Sequence, residues 1–352
     1  MSDVPGLDLT AFRRWYDTQR PGEIQGELTG SLIAGGKSNL TYEVTDGATA
    51  WIVRRPPLGH VQATAHDMGR EFTAMSALAA TDVPVPRMYA RCADPEVLGA
   101  EFYVMEKVEG RAYRRAAELD ALGADRTAAI AGRLVDVLAR LHAVDPAAVG
   151  LSEFGRPDGF LERQVRRWGR QLEGSKTREH PDADELHRRL TQRVEQVAAD
   201  TSAVGIVHGD YRLDNCLVGA DDEIHAVVDW EMATLGDTRT DVALMLVYET
   251  LGASAAGELV SDVAKAQGWP GNQQQLAAYA AASGSEPGDI DQESMSWHMA
   301  LAYFKLAVIL EGIHYRFLQG QTVGEGFEGI GEGFDLIVAA GLHSLSADDK
   351  GN

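Results

Sequence analysis

The sequence has few cysteines, no long apolar run and a shortage of positive charge. Its two cysteines, Cys92 and Cys216, lie far apart and lack the spacing of metal ligands, so neither a disulfide framework nor a zinc site has support. No hydrophobic stretch approaches the ~18 residues needed to span a membrane, and no apolar run preceded by basic residues opens the chain. These absences predict a cytoplasmic protein that is neither secreted nor inserted in a membrane.

The charge is strongly one-sided. Among the 352 residues, 53 Asp and Glu outnumber 32 Lys and Arg, which gives a net charge of −21. Nucleic acid and anionic membrane surfaces would repel such a protein, so neither is expected as a partner. From Glu231 to the end there are 17 acidic and 5 basic residues. This region could attract a cationic substrate, or it could be a solvated surface that keeps the protein soluble.

The first 105 or so residues have the pattern of a small sheet with one helix. Alternating apolar residues over 40–44, the turn signal Asp46-Gly47 and the apolar residues 51–53 predict a β-hairpin. Apolar residues at helical spacing predict a helix over 66–80, and residues 102–105 are typical of a strand.

The rest of the chain is predicted to be mainly helical. Amphipathic or apolar helical patterns occupy residues 130–141, 160–198, 241–251 and 296–318. Short β-prone pieces interrupt them at 205–207, 216–218 and 224–230, and the glycine-rich residues 324–333 are predicted to form a loop.

One segment carries the chemistry. Residues 207–215 read V-H-G-D-Y-R-L-D-N, and Asp229 follows Asn215 by fourteen positions. Phosphoryl transfer to a hydroxyl needs a carboxylate that accepts the proton and oxygen ligands that hold Mg²⁺. Asp210, Asn215 and Asp229 supply these groups. Each alone would more often close a turn, but the three together, placed between β-prone pieces, favour a catalytic centre over a turn. Cys216 is expected to be a packing residue.

The segment resembles the catalytic loop of the aminoglycoside phosphotransferase family, and Asp229-Trp230 resembles that family's counterpart of the kinase Asp-Phe-Gly. The resemblance extends over nearly the whole chain. It implies an α+β, protein-kinase-like bilobal fold, with a small antiparallel-sheet lobe that carries one key helix over 1–106 and a larger, mainly helical catalytic and substrate-binding lobe over 107–352. It also implies ATP, or GTP, as phosphate donor, Mg²⁺ as metal and a small-molecule hydroxyl as acceptor.

The resemblance implies a nucleotide site in the first lobe. Its nucleotide-covering loop would contain Gly35, Gly36, Ser38 and Asn39, although a glycine pair in a hairpin is often only a turn. Met105 would line the adenine pocket or simply pack in the core. The connector that meets the adenine through backbone groups would include Glu106 and Val108.

One position departs from the kinase pattern. Where kinases usually have a lysine that holds the α- and β-phosphates, this chain has Arg54, and Glu71 is its expected ion-pair partner. Arginine keeps the charge and can bind phosphate with two N–H groups, but its geometry differs. Alternatively, Arg54 and Arg55 are exposed charges at a strand end. The Arg-Arg-Pro-Pro stretch they begin resembles a subgroup that includes phosphotransferase domains fused to acyl-CoA dehydrogenases.

Other loop residues receive supporting roles. Arg212 is predicted to steady the transferring phosphate, or else to form a salt bridge within the loop. His208 is expected to orient the loop rather than act as a base. By the resemblance Asp241 buttresses the loop, and helix capping is an equal alternative. His142 is expected to be structural.

The sequence therefore predicts a Mg²⁺-dependent small-molecule kinase in which Asp210 and Arg212 are catalytic and Asn215 and Asp229 hold the metal. A catalytically inactive nucleotide-binding scaffold is the alternative, suggested by Arg54. Three classes of acceptor stay open: an aminoglycoside-like antibiotic, a hydroxyacyl-CoA and a small metabolite such as an amino alcohol. The oligomeric state is not predicted.

Overall fold

A computed structural model describes residues 4–33, 39–58, 67–253, 261–285, 289–321, 331 and 333–348. The chain divides into two compact units. The first comprises Met1–Arg111 and His225–Ala233, and the second comprises Ala112–Ile224 and Thr234–Asn352. The functional boundary predicted at residue 106 stays a prediction.

The first unit is built on an antiparallel sheet. Its elements are α1 (Leu9–Gln19), β1 (Thr29–Leu32), β2 (Leu40–Thr45), β3 (Ala50–Arg55), α2 (Met68–Leu78), β4 (Met88–Cys92), α3 (Pro95–Leu98) and β5 (Phe102–Glu106). The strand order is β1-β2-β3-β5-β4, with antiparallel pairing throughout. The predicted hairpin is confirmed: Leu40 pairs with Arg55 and Thr45 with Ala50 around the turn that contains Gly47. The predicted helix and strand correspond to α2 and β5.

Buried aromatic side chains form the core of the first unit. Phe12 and Tyr16 of α1 stack with their ring centroids 5.5 Å apart, and Trp51 and Phe102 of the sheet are also buried. Each such side chain contributes roughly 1.5–3 kcal/mol by leaving water. The sequence analysis did not predict α1, although Asp8 caps it by accepting the N–H groups of the residues at positions 10 and 11.

The second unit is mainly helical. It contains α4 (Ala116–Asp120), α5 (Ala124–His142), α6 (Phe160–Ser175), α7 (Pro181–Ala198), β6 (Val204–Val207), β7 (Cys216–Val218), β9 (Thr234–Asp237), α8 (Arg239–Ala253), α9 (Asn272–Ser283), α10 (Ser296–Leu318) and α11 (Gly333–Asp348), while β8 (Ile224–Val227) begins at the division. Strands β6 and β9 pair antiparallel, with Val204 opposite Asp237. None of the described helices has the length and apolar character needed to cross a membrane.

Two sequence predictions need qualification. The strand predicted over 224–230 ends at Val227, because Asp229 adopts a left-handed backbone with φ of 69° and a short 3-10 turn begins at Trp230. Most of the predicted loop at 324–333 lies outside the described residues, and its last residue, Gly333, begins α11.

Gly268 is required by a close backbone approach in the second unit. Its φ is 88°, and a β-carbon there would overlap the carbonyl group of Ala124. Gly132, on α5, has open space around the same position.

We therefore expect Gly268→Ala to lower the free energy of unfolding by about 2 kcal/mol or more, because left-handed backbone and steric overlap both oppose the methyl group. Gly132→Ala is the matched control and should gain about 0.5–1 kcal/mol from helix propensity. Urea unfolding of both variants measures the difference, and equal stabilities would contradict the packing described for Gly268.

Candidate active site

A buried carboxylate holds the backbone of the predicted catalytic loop. Asp241, in the first turn of α8, accepts the backbone N–H groups of His208 and Gly209 at 2.6 and 2.7 Å. The Nε2 atom of His142 lies 3.3 Å from the same carboxylate. Burial alone would raise the pKa of Asp241, but His142 and the loop outweigh it and leave the pKa below its ordinary value. The carboxylate is thus ionised and fixes the loop just before Asp210.

The side chain of Asp210 is held on both oxygens. Its Oδ2 accepts a hydrogen bond from Asn215 Nδ2 at 3.0 Å, and its Oδ1 accepts one from the Tyr248 hydroxyl at 3.1 Å. Arg212 Nε lies 3.3 Å from the carboxylate. The side chain of Asp210 is still 24% exposed to solvent.

Arg212 forms salt bridges within the loop. It lies 2.7 Å from Asp214 as well as beside Asp210, and its guanidinium carbon is 4.9 Å from the ring centroid of Tyr248. The internal salt bridge considered from the sequence is therefore present. The role of Arg212 toward phosphate stays a prediction.

Two residues at this loop were not predicted from the sequence. Tyr248 contacts Asp210 as described, and Lys305 Nζ donates to the Gly209 carbonyl oxygen at 2.7 Å. Both had usable signals. Tyr248 lies seven positions after Asp241, hence on the same face of α8, and Lys305 is the sole lysine of the apolar helix α10, where a charged group must find a partner.

In the first unit, Arg54 is buried between two carboxylates. Its Nη1 lies 3.4 Å from Glu71 Oε2, and its Nη2 lies 2.7 Å from Asp229 Oδ1. Arg54 is only 8% exposed and Glu71 is fully buried, which excludes an exposed charge at a strand end. The Tyr103 hydroxyl also donates to Glu71, at 3.0 Å. Burial raises the pKa of Glu71 to about 7 against the attraction of Arg54.

Three carboxyl groups of the first unit could share a cation. Oxygens of Glu71, Asp229 and Glu231 lie within 4.8 Å of one another. Asn39 Nδ2 donates to Glu71 and Glu231 at 3.2 and 3.3 Å. The left-handed backbone of Asp229 is rare for a residue other than glycine and costs roughly 1–3 kcal/mol, as is common at functional sites. The carboxylate oxygens of Glu71, Asp229 and Glu231 are hard donors, which fit Mg²⁺.

The remaining predicted nucleotide residues are partly described. Gly35, Gly36 and Ser38 lie outside the described residues. Met105 is buried in β5, opposite Ile52. The backbone N–H of Glu106 donates to the Arg87 carbonyl at 2.8 Å, so this group is already engaged. Val108, two residues after Glu106, is half-buried.

The second unit also contains a cavity beside the catalytic loop. It has a volume of about 20 Å³, little more than one water molecule needs, and its walls include Arg212, Asp214, Met245, Tyr248, Glu249 and Trp269. Glu249 is 7% exposed and accepts a hydrogen bond from Gln275. Burial raises the pKa of Glu249 to about 7, against the opposing effect of the nearby Gln275 and Trp269 side chains.

Comparison with known proteins identifies the relatives of this chain. The sequence model of the phosphotransferase enzyme family matches residues 29–282. Acyl-CoA dehydrogenase family member 11 of Rattus norvegicus is 32% identical over 327 residues, which are 91% of this chain and 41% of that protein. The chain therefore spans about two fifths of the length of this relative.

Solved structures agree with this match. A crystal structure from Ralstonia eutropha JMP134, provisionally assigned as an aminoglycoside phosphotransferase, has a TM-score of 0.81 and 30% identity, covering 97% of this chain and 98% of that one. A microcompartment-associated aminopropanol kinase has a TM-score of 0.61 at 18% identity, with 97% and 98% covered, and shows likeness of fold alone. The predicted protein-kinase-like α+β fold and the family resemblance are confirmed.

The burial of Arg54 and Glu71 gives a stability prediction. Arg54→Met should lower the free energy of unfolding by roughly 3–5 kcal/mol, because it leaves buried carboxyl groups without their cation. The double variant Arg54→Met/Glu71→Gln should lose clearly less than the sum of the two single changes. Arg91→Met, which breaks the exposed pair with Glu101, is the control and should cost under about 1 kcal/mol. Additive losses in urea unfolding would contradict the coupling.

Glu249 gives a pH prediction. A carboxyl group whose pKa is about 7 in the folded state binds more protons there than in the unfolded state, so its contribution to stability falls as pH rises from about 5 to 8. Glu249→Gln should remove this loss and gain roughly 1–3 kcal/mol on the wild type across that range. Glu195→Gln, an exposed change on α7, should follow the wild type. Unfolding curves for Glu249→Gln that stay parallel to the wild type at every pH would contradict the assignment.

Proposed function

The chain belongs to the phosphotransferase enzyme family, and we propose that it is a kinase that transfers the γ-phosphate of ATP, or of GTP, to a hydroxyl group of a small molecule. The observation that carries the proposal is the geometry at Asp210. Asp241 clamps the backbone before it, and Asn215 and Tyr248 fix its two carboxylate oxygens while part of the side chain stays exposed. A base held in one orientation is what transfer to a hydroxyl requires.

In this proposal Asp210 orients the acceptor hydroxyl and takes its proton, and Arg212 steadies the phosphate. Asn215 and Asp229 hold Mg²⁺. Asn215 uses its amide nitrogen on Asp210, which leaves its amide oxygen for a metal, and Asp229 contributes to the carboxylate group that suits a hard cation. When bound, Mg²⁺ neutralises charge on the phosphates.

The same proposal assigns nucleotide binding to residues 1–106. Arg54, held by Glu71, contacts the phosphates, and Gly35, Gly36, Ser38 and Asn39 cover them. Met105 lines the adenine pocket, and the backbone at Glu106 and Val108 meets the adenine. The pairing of Arg54 with Glu71 at 3.4 Å supports this role, because it limits the orientations of the guanidinium group.

A second candidate is a nucleotide-binding scaffold without catalysis. The observation that favours it is the 2.7 Å contact between Arg54 and Asp229 Oδ1, since this contact occupies one of the two carboxylate oxygens of a residue that the kinase proposal assigns to the metal. Turnover separates the two candidates, because a scaffold would bind ATP and form no ADP with any acceptor.

The kinase proposal predicts the effect of one isosteric change. Asp210→Asn should reduce ADP formation by at least about 10²-fold, since the amide cannot accept the proton, while Mg·ATP binding changes little. The assay measures ADP formed with aminoglycosides, hydroxyacyl-CoAs and amino alcohols as acceptors. Asp136→Asn, an exposed change on α5, is the matched control and should keep wild-type turnover. Undiminished turnover in Asp210→Asn would refute the role of Asp210.

A further inference from the structure

The peptide group that joins Gly209 to Asp210 is held from two sides. Its carbonyl oxygen accepts a hydrogen bond from Lys305 Nζ at 2.7 Å, and its N–H group, which belongs to Asp210, donates to His208 Nδ1 at 3.2 Å. Gly209 has a φ of 84°, a left-handed conformation that glycine adopts without strain. Because the plane of this peptide group sets the direction in which the Asp210 side chain leaves the backbone, Lys305 acts directly next to the proposed base.

Lys305 reaches this peptide group from a distant part of the chain. It lies on α10, 96 positions after Gly209, and beyond residues 29–282, which match the family model. Most residues of α10 are buried. An ammonium group on such a helix is unfavourable unless it finds an acceptor, and the Gly209 carbonyl is its one hydrogen-bond acceptor in the described part of the chain. The contact with the loop therefore gives this lysine a specific place.

An aromatic ring limits the positions that the Lys305 ammonium group can take. The Nζ atom lies 5.7 Å from the ring centroid of Trp168, a buried residue of α6. A cation at this distance over the face of an indole ring is attracted by the ring. The ammonium group thus has two attractive contacts, one with α6 and one with the loop, and both favour the observed side-chain conformation.

Charged groups of both signs act on Lys305. Burial has the largest effect, and it lowers the pKa of Lys305 below the ordinary value for lysine. The carboxylates of Asp210 and Asp241 oppose this shift by attracting the ammonium group, whereas the guanidinium groups of Arg167 and Arg212 repel it. The attraction that offsets burial therefore comes from the loop and from the residue that clamps the loop.

We propose that Lys305 is a positioning residue for phosphoryl transfer: it fixes the plane of the Gly209–Asp210 peptide group and thereby directs the Asp210 carboxylate toward the acceptor hydroxyl. Asp241 does not perform this task, because it accepts the N–H groups of His208 and Gly209, which precede that peptide group. The inference rests on the proposed kinase function for the reaction that Lys305 serves. The fixing of the peptide group can be measured without turnover.

Amide hydrogen exchange, measured by NMR on the full chain, tests the fixing of the peptide group. Lys305→Met keeps an unbranched side chain and removes the donor. We expect the Asp210 amide to exchange at least about tenfold faster in Lys305→Met than in the wild type, because its peptide group is no longer held at the carbonyl. The His208 amide, which Asp241 holds, should keep its exchange rate and serves as the internal reference. A general loss of stability would accelerate both amides together.

Further variants complete the exchange test. Lys305→Arg retains a charged donor and should keep the Asp210 amide within about threefold of the wild-type rate. Lys265→Met, which changes an exposed lysine of the second unit, is the control and should match the wild type. If Lys305→Met does not fold, Lys305→Gln replaces it, since its side chain is one bond shorter and uncharged. Unchanged exchange at Asp210, or equal acceleration at His208 and Asp210, would overturn the proposal.

Parallel measurement of ADP separates this inference from the kinase proposal. With an accepted hydroxyl compound, Lys305→Met should lower kcat by about 10- to 100-fold and leave the KM for ATP within about twofold, because a misdirected base slows the transfer without weakening nucleotide binding. Lys305→Arg should restore most of kcat. Faster exchange at Asp210 with unchanged kcat would reject the role of Lys305 in transfer. Faster exchange at Asp210 without ADP formation by the wild type would retain the contact and count against the kinase proposal.

Discussion

The organisation of the predicted catalytic loop depends on one buried carboxylate. Asp241 has no exposure to water, and its two oxygens accept N–H groups from consecutive residues, His208 and Gly209. A backbone N–H group that is buried without a hydrogen-bond acceptor destabilises the fold. The Asp241 side chain therefore supplies acceptors for these two N–H groups and at the same time fixes the path of the loop. The positions of the following loop residues, and the orientation of Asp210 among them, depend on this contact. Lys305 adds a contact to the Gly209 carbonyl.

Both units contain buried charged side chains, and each of these side chains loses hydration on folding. Arg54 in the first unit and Asp241 in the second have partners of opposite charge or strong hydrogen bonds, which offset their loss of hydration. Glu249 differs, because its buried carboxyl group has only the neutral Gln275 and Trp269 side chains as hydrogen-bonding neighbours, and burial raises its pKa to about 7.

Much of the fold followed from local pattern. The β2–β3 hairpin and α2 have clear periodicity, α10 is a long apolar segment, and the loop motif singled out Asp210 and Asn215, whose side chains lie 3.0 Å apart. What escaped the sequence depends on distant contacts. The spacing of Tyr248 from Asp241 predicts a shared face of α8 but not the contact with Asp210, and the burial of Arg54 depends on α2 and on Asp229, 175 positions away. The burial of Glu249 is a property of packing, which no local pattern encodes.

The most direct test of the central claim is the affinity for ATP, measured by calorimetry with Mg²⁺ and again with the metal chelated, in the wild type and in Asp229→Asn. The account predicts that the wild type binds ATP about tenfold more weakly or worse without Mg²⁺, and that Asp229→Asn shows this weakness even when Mg²⁺ is present. ATP binding that stays equally tight without Mg²⁺ and in Asp229→Asn would contradict a phosphotransferase site built on Asp229. The absence of any ATP binding would contradict it as well.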